Sequence, residues 1–152
     1  MTNEELKERI NSLSFGEDWG EASGDWLCFN IDPKDWKPLA HQLRKSTDLN
    51  FDYLFCVTCV DWKTHLSMVF HLSSTTYRHT LVVKSKLDRT KSEIETVCDI
   101  WRTAEFHERE QAELFGVNFL NHPDLRKLIL TDDFEGFPLR KDFEDPVNMI
   151  KL

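Results

Sequence analysis

The two cysteines at positions 56 and 59 of this 152-residue chain have a spacing that occurs in redox and metal sites. A thioredoxin-like site needs such a pair at the start of a helix, and a zinc ribbon needs a second pair. Here the pair lies inside the apolar run 54–61, whose length is typical of a strand. Because a spacing of three sends strand side chains to opposite faces, we interpret Cys56 and Cys59 as small buried residues. A free-standing metal or redox module using them stays an alternative function.

Histidines and carboxylates supply further groups that could bind a metal. The segment 107–113 carries a His and a Glu one helical turn apart, but a di-metal site needs a second, matching Glu-x-x-His helix, which the sequence lacks. His65, His71 and His79 are expected on one sheet face, where flanking Ser and Thr indicate an ordinary polar surface. The sequence also lacks the glycine-rich and Gly-x-Ser-x-Gly motifs of nucleotide and acyl-transfer sites. We therefore predict no catalytic, cofactor-binding or metal-binding residue in this chain.

The overall composition narrows the class of protein further. Lys and Arg total 19 against 27 Asp and Glu, which gives a formal net charge of −8 and argues against binding to the phosphates of nucleic acid. No run approaches the roughly 20 apolar residues of a membrane helix, and the polar start of the chain does not resemble a signal or transit peptide. The 11 Phe and 5 Trp favour a buried protein interface. We expect an intracellular domain that neither spans a membrane nor binds nucleic acid.

Hydrophobic periodicity indicates the elements that position these residues. Apolar residues three or four apart predict helices, and strict alternation predicts strands. Asp32 and Pro33 mark a helix start, and Gly116 marks a helix end. The predicted helices span 4–13, 33–45, 92–101 and 105–115, and the predicted strands span 26–31, 54–61, 65–72 and 78–84. This order predicts an α+β fold with helices packed on one face of a mostly antiparallel sheet.

The last part of the chain, from Asn118 to Leu152, lacks sustained periodicity and is interrupted by prolines. Its large apolar side chains are too many for a solvated tail and too interrupted for a core of their own. We therefore predict an α+β domain over 1–117 and an extended C-terminal segment over 118–152 that docks on a partner protein. Packing of this segment on its own domain is the alternative, and both can hold for different residues.

Four sequence blocks in the final third resemble a known family in content, order and spacing. They are Glu-Arg-Glu at 108–110, Phe-Gly at 115–116, His-Pro-Asp-Leu-Arg at 122–126 and Gly-Phe-Pro-Leu-Arg-Lys-Asp at 136–142. Together they resemble the signature of the C subunit of the proton-pumping NADH–quinone oxidoreductase, respiratory complex I. Glu113, Lys127 and Phe137 stand where that family usually has Asp, Arg and His. The resemblance covers roughly residues 26–145.

The resemblance implies a non-catalytic structural and assembly subunit in the peripheral arm of a membrane-attached enzyme. That enzyme couples electron transfer from NADH to quinone to proton translocation, and the chain would take part in the reaction only within the complex. Flavin and iron–sulfur clusters are expected on other subunits. The expected partners are the D subunit, which helps to form the quinone pocket, and other hydrophilic-arm subunits, which would hold the chain at the cytoplasmic side of the bacterial inner membrane. An equivalent subunit of a related membrane-bound hydrogenase or other donor-linked dehydrogenase is the alternative.

The resemblance also implies which residues contact the partner. Arginine and lysine side chains would form charge-assisted hydrogen bonds, and leucine and phenylalanine would supply apolar anchors. The predicted interface residues are Glu108, Arg109, Glu110, His122, Asp124, Leu125, Arg126, Leu139, Arg140, Lys141, Asp142 and Phe143.

Overall fold

A computed structural model describes residues 1–21 and 24–149, so the predicted docking of residues 150–152 lies outside the described residues. Within this range the chain forms α1 (Asn3–Asn11), β1 (Leu27–Ile31), α2 (Pro33–Lys45), β2 (Tyr53–Asp61), β3 (His65–Ser73), β4 (Thr80–Asp88), β5 (Glu93–Glu95), α3 (Ala104–Phe115) and β6 (Asn118–Leu120). Across this part of the chain, no helix is both long enough and apolar enough to cross a bilayer.

Local capping signals set the ends of the helices. The Thr2 side chain caps α1 in a reciprocal pair with Glu5. Asp32 accepts a hydrogen bond from the Lys34 N–H, so α2 begins at the residue that the sequence indicates. The last helix, α3, ends at Gly116, which adopts the left-handed conformation with φ of 77°. The cap signals at Asp32 and Gly116 are therefore confirmed.

A four-stranded sheet forms the centre of the fold, with the strand order β1-β4-β3-β2. The pairs β2–β3 and β3–β4 are antiparallel, whereas β1 pairs with β4 in parallel. The connection between β1 and its neighbour β4 passes through α2 and two strands, so the sheet is mixed and mostly antiparallel. The predicted α+β class is confirmed.

All three helices bury their apolar residues against the same face of this sheet. The main hydrophobic cluster joins Leu6 of α1, Trp36 of α2 and Ala104 of α3 to Phe70 and Val83 of the sheet. On the opposite face lies a second, smaller cluster of strand residues, centred on Cys28, Val69 and Val82. We call this opposite surface the open face. From the strand register it comprises Cys28, Asn30, Tyr53, Cys56, Thr58, Val60, His65, Ser67, Val69, His71, Ser73, Thr80, Val82, Lys84, Lys86 and Asp88.

The predicted helix over 92–101 is wrong. Residues 93–95 instead form β5, which pairs in parallel with β6 at 118–120, and turns follow. Ile94, Val97 and Trp101 are buried as their spacing suggests, but a three-residue strand followed by turns buries them equally well. Because β6 belongs to the predicted C-terminal segment, the start of that segment packs on its own domain.

Candidate docking site

Asp61, the last residue of β2, fastens the C-terminal segment to the sheet. Its carboxylate is buried, pairs with the Arg89 guanidinium and accepts hydrogen bonds from the N–H groups of Lys63 and Lys141, each at 2.8 Å. Burial favours the neutral acid, but the bonds from Arg89 and the two N–H groups outweigh it and hold the pKa of Asp61 at about 2. Arg89 also donates to Asp142 at 2.9 Å. The buried Asp61 carboxylate thus binds the C-terminal segment directly, at the Lys141 N–H, and indirectly, through Arg89 and Asp142.

Arg140 makes a second attachment, next to the end of α3. Its Nε atom donates to the carbonyl oxygen of Phe115 at 2.6 Å, and its guanidinium carbon lies 5.1 Å from the centre of the Phe137 ring. The same ring covers Gly116 so closely that a Cβ atom there would come within 2.6 Å of it. Gly116 therefore serves twice, as a left-handed helix end and as the surface on which Phe137 packs.

Glu113 of α3 holds the middle of the segment by its main chain. The carboxylate accepts hydrogen bonds from the N–H groups of Leu128 at 2.8 Å, Ile129 at 2.8 Å and Leu130 at 3.2 Å. The residue is 5% exposed, so its charge is stabilised by these N–H groups more than by water. Three consecutive N–H groups on one carboxylate fix the path of the backbone at this point.

Arg109 and Lys127 hold the two sides of the same stretch. Arg109 donates to the carbonyl oxygens of Arg126 at 2.9 Å and Lys127 at 3.2 Å. The Lys127 ammonium in turn reaches the carbonyl oxygen of Phe134 at 2.5 Å. We call residues 126–134 the clamped loop. It presents Leu128 and Ile129 to solvent, at 40% and 65% exposure, from a backbone that charged side chains hold in place.

Glu108, a predicted interface residue, lies in the interior of this chain. Both of its oxygens accept hydrogen bonds, from the Thr96 hydroxyl at 2.5 Å and from the Val97 N–H at 2.9 Å. Burial raises the pKa of Glu108 to about 7, although these two bonds lower it. The carboxylate therefore connects α3 to the turn that follows β5, and it supplies the acceptor that the buried N–H of Val97 needs.

His122 completes a group of three potential metal ligands around Glu108. One ligand atom from each of Cys98, Glu108 and His122 lies within 4.8 Å of the others. However, the His122 Nδ1 atom accepts from the N–H of Asp124 at 3.0 Å, which leaves Nε2 as the donor to the Glu105 carbonyl at 3.1 Å. Both ring nitrogens are thereby engaged, so the arrangement favours a hydrogen-bonded core cluster over a metal site.

The Cys56–Cys59 pair is divided between the two faces of the sheet. Cys59 pairs with Met68 in the main core, and Cys56 pairs with His71 on the open face. Burial and the nearby Asp61 carboxylate raise the pKa of the Cys59 thiol to about 12, and burial raises the pKa of Cys56. A neutral thiol is a poor nucleophile and metal ligand, so this geometry favours the interpretation as packing residues.

The remaining predicted interface residues fall into two groups. Several have partners within the chain. Leu125 packs against the main core, whereas Phe143 stacks on Phe134 and Arg126 forms an ion pair with Asp124 within the C-terminal segment. Others present side-chain surface: Leu139 is 52% exposed, Lys141 and Asp142 are exposed, and Glu110 is half-buried. The structure therefore gives many of the predicted residues partners within the chain and leaves the others with exposed side-chain surface.

Sequence reasoning missed Asp61, Arg89 and Glu113 as attachment points. A signal was present for Asp61, because it has the same strand phase as the buried Val57 and Cys59, and a carboxylate in that phase needs a partner. Arg89 and Glu113 carry no such local signal, since their partners lie 53 and 15 to 17 residues further along the chain.

Comparisons with known proteins agree on one family. The family described as "Respiratory-chain NADH dehydrogenase, 30 Kd subunit" matches residues 29–147. The C subunit of NADH-quinone oxidoreductase from Chloroherpeton thalassium is 33% identical over 145 residues, which cover 92% of this chain and 60% of that protein. The C/D subunit of the same enzyme from Phocaeicola vulgatus is 41% identical over 105 residues, 68% of this chain and 20% of that protein. The C subunit of F(420)H(2) dehydrogenase from Methanosarcina mazei is 39% identical over 117 residues, 75% of this chain and 73% of that protein. The chain thus spans a fifth to three-quarters of these relatives.

Two solved structures resemble this fold. A chain of the membrane-bound sulfane sulfur reductase, described as an archaeal respiratory membrane complex, aligns with a TM-score of 0.79 and 27% identity over 93% of this chain and 85% of that chain. A trypsin-resistant fragment (1-134) of Nqo5 aligns with a TM-score of 0.68 and 22% identity over 82% of this chain and 100% of that chain. The second likeness concerns the fold alone.

Proposed function

Because the chain belongs to the family of the 30-kDa subunit of respiratory-chain NADH dehydrogenase, we propose that it is a non-catalytic structural and assembly subunit of a membrane-attached NADH–quinone oxidoreductase. The observation that carries this proposal is the family match over residues 29–147, supported by relatives at 33–41% identity that are C or C/D subunits of that enzyme. Electron transfer from NADH to quinone and the coupled proton translocation belong to the whole complex. Flavin and iron–sulfur clusters lie on its other subunits.

The internal hydrogen bonding supports a structural role. The carboxylates of Asp61, Glu108 and Glu113 each accept main-chain N–H groups of the chain itself, and the thiols of Cys56 and Cys59 have raised pKa values. Groups that could act as general bases or nucleophiles are thus used to hold the fold together. The chain enters the enzyme reaction by positioning other subunits.

The C-terminal segment supplies the main docking surface for the D subunit. Two relatives carry the joined name C/D, one from Phocaeicola vulgatus and one from Bacteroides thetaiotaomicron, and a joined name favours contact between the two parts. The clamped loop presents Leu128 and Ile129, and Leu139 lies half-exposed further along. Exposed aliphatic side chains on a backbone that is already ordered lose little conformational entropy on binding, which makes them suitable anchors for an apolar pocket.

The chain lies at the cytoplasmic side of the bacterial inner membrane, which it reaches only through its partners. A related complex with another electron donor is the second candidate. It is favoured by the 39% identity to the F(420)H(2) dehydrogenase relative and by the likeness to the sulfane sulfur reductase chain. In either complex the donor is selected by other subunits, and the role of this chain is the same.

Purification of the tagged full chain from its native membranes tests the proposal. We expect flavin- and iron–sulfur-containing subunits and the D subunit to co-purify with NADH oxidation, and the isolated chain to oxidise no NADH. Ile129→Glu should reduce recovery of the D subunit, whereas Gln42→Glu, at an exposed position of α2 outside the C-terminal segment, serves as the control for an added charge. NADH or quinone turnover by the chain alone, or full recovery of the D subunit with Ile129→Glu, would contradict the proposal.

A further inference from the structure

The C-terminal segment runs alongside α3 from one end of the helix to the other. At the start of the helix the His122 Nε2 atom donates to the carbonyl oxygen of Glu105 at 3.1 Å, and at its end the Leu139 N–H donates to the carbonyl oxygen of Leu114 at 3.1 Å. Between these points the clamped loop is bound to Arg109. Helix and segment therefore lie side by side, and their outward surfaces are continuous.

Phe106 lies on the outward side of α3, between two residues that the helix buries. Ala104 and Glu108 are inaccessible to solvent, whereas Phe106 is 58% exposed, the highest value of any aromatic side chain in the described part of the chain. A single apolar side chain on a surface needs no explanation, but one that adjoins other exposed apolar residues indicates contact with a partner. The neighbours of the ring therefore decide whether it has a role.

Arg109 joins Phe106 to the clamped loop. Its guanidinium carbon lies 5.6 Å from the centre of the Phe106 ring, and its N–H groups donate to the carbonyl oxygens of Arg126 and Lys127. The exposed aliphatic residues of the loop directly follow Lys127. Because two carbonyl oxygens fix the guanidinium, the ring has a fixed group on which to stack. Phe106 and the aliphatic side chains of the loop thus belong to one apolar patch.

The charges around this patch are mixed. Arg102 and Arg126 are exposed, and Glu105 and Glu110 are half-buried. Arg126 is in addition paired with Asp124. Side chains of both signs thus surround the ring, and they select neither an acidic nor a basic partner. The feature that distinguishes the patch is its apolar content, so the matching surface of a partner is an apolar one.

A partner that covers the clamped loop also reaches Phe106. One side chain, that of Arg109, separates the ring from the loop, whereas an interface of ordinary size involves about 20–30 residues on each side. Arginine and large aromatic residues are also among the types that contribute most to binding when a partner encloses them. The ring therefore shares its partner with the loop.

We propose that Phe106 is an anchor of the interface with the D subunit and fills an apolar pocket of that subunit. This inference rests on the proposed function and deepens it, because it extends the docking surface from the C-terminal segment onto α3. Arg109 orients the ring before the partner binds. A side chain that is already oriented loses little conformational entropy on binding, which suits Phe106 to the role of an anchor.

A photo-reactive residue tests the contact in the intact complex. The tagged full chain carries p-benzoylphenylalanine in place of Phe106, and native membranes are irradiated before purification. We expect a cross-link to the D subunit. The same residue in place of Ile129 reports on the clamped loop and should also cross-link to the D subunit. In place of Gln42, exposed on α2, it is the control and should not.

Two substitutions measure the contribution of the ring. Phe106→Ala should lower recovery of the D subunit on the order of tenfold, whereas Phe106→Leu, which keeps a large apolar side chain, should retain most of it. Because the ring is more than half exposed, we expect the thermal midpoint of the isolated chain to be the same in both variants as in the wild type.

Each other outcome overturns the inference. A cross-link to the D subunit from position 129 but not from position 106, or full recovery of the D subunit with Phe106→Ala, refutes the anchor and leaves the proposed function standing. Recovery of no respiratory subunit by the wild-type chain refutes both. A cross-link from position 106 only to a second copy of this chain, or only to a subunit other than D, identifies a different occupant.

Discussion

Replacement of Asp61 by Asn should detach the end of the C-terminal segment while the sheet stays folded. The substitution removes the anion that pairs with Arg89 and accepts from Lys63 and Lys141, and it leaves an arginine side chain that is only 17% exposed without its closest counter-ion. Removing one partner of a buried pair costs about 3–5 kcal/mol. Because Arg89 keeps Asp142 and Asn keeps one carbonyl oxygen, we expect the free energy of unfolding to fall by about 2–3 kcal/mol.

Urea unfolding and limited trypsin digestion of the full chain measure the two effects separately. Cleavage after Arg140 and Lys141 reports on the segment, because Asp61 binds the Lys141 N–H directly, and tryptophan fluorescence reports on the core. Asp142→Asn is the control, since this carboxylate also binds Arg89 but is 71% exposed, and should cost less than about 1 kcal/mol. Equal cleavage of wild type and Asp61→Asn would refute the argument that this carboxylate fastens the segment.

Three further changes probe other contacts of the segment. In the wild type, the free energy of unfolding should fall on the order of 3 kcal/mol as the pH rises from 4.5 to about 7, because Glu108 keeps its proton to a higher pH in the folded chain than in the unfolded chain. Glu108→Gln should abolish this fall, which urea unfolding at several pH values measures. Glu113→Gln should cost about 2 kcal/mol and expose the bond after Lys127 to trypsin. Gly116→Ala should cost about 2–3 kcal/mol, from its positive φ and the displaced Phe137 ring, and should lower the thermal midpoint. A pH slope unchanged in Glu108→Gln, a trypsin cleavage rate unchanged in Glu113→Gln, or a thermal midpoint unchanged in Gly116→Ala would contradict the contact assigned to that residue.

The sequence predicted the elements whose signals are local. The helix over 33–45 has a capping Asp, an early Pro and a regular apolar stripe, and the structure reproduces its bounds. The prediction of a helix over 92–101 was wrong because β5 forms by pairing with β6. The paired residues Glu93 and Asn118 lie 25 positions apart in the chain, and no local sequence pattern indicates that pairing.

The interface residues were harder to judge from sequence because charge alone does not separate contacts within the chain from contacts with a partner. Arg109, Arg140 and Glu108 bind main-chain atoms of their own chain. A charged residue that caps a main-chain group and one that faces a partner have the same appearance in a sequence, and only the fold distinguishes them. Contact of the remaining residues with a partner stays a prediction.

Side chains of the α+β domain hold the C-terminal segment through hydrogen bonds to its main chain. Asp61 and Glu113 accept main-chain N–H groups, and Arg109 donates to main-chain carbonyl oxygens. Contacts of this kind are nearly indifferent to which side chain a held residue carries, provided that it is not proline. The outward residues Ile129 and Leu128 can therefore change with the partner while the segment keeps its path. At the clamped loop, attachment to the domain therefore does not depend on the side chains that face outward.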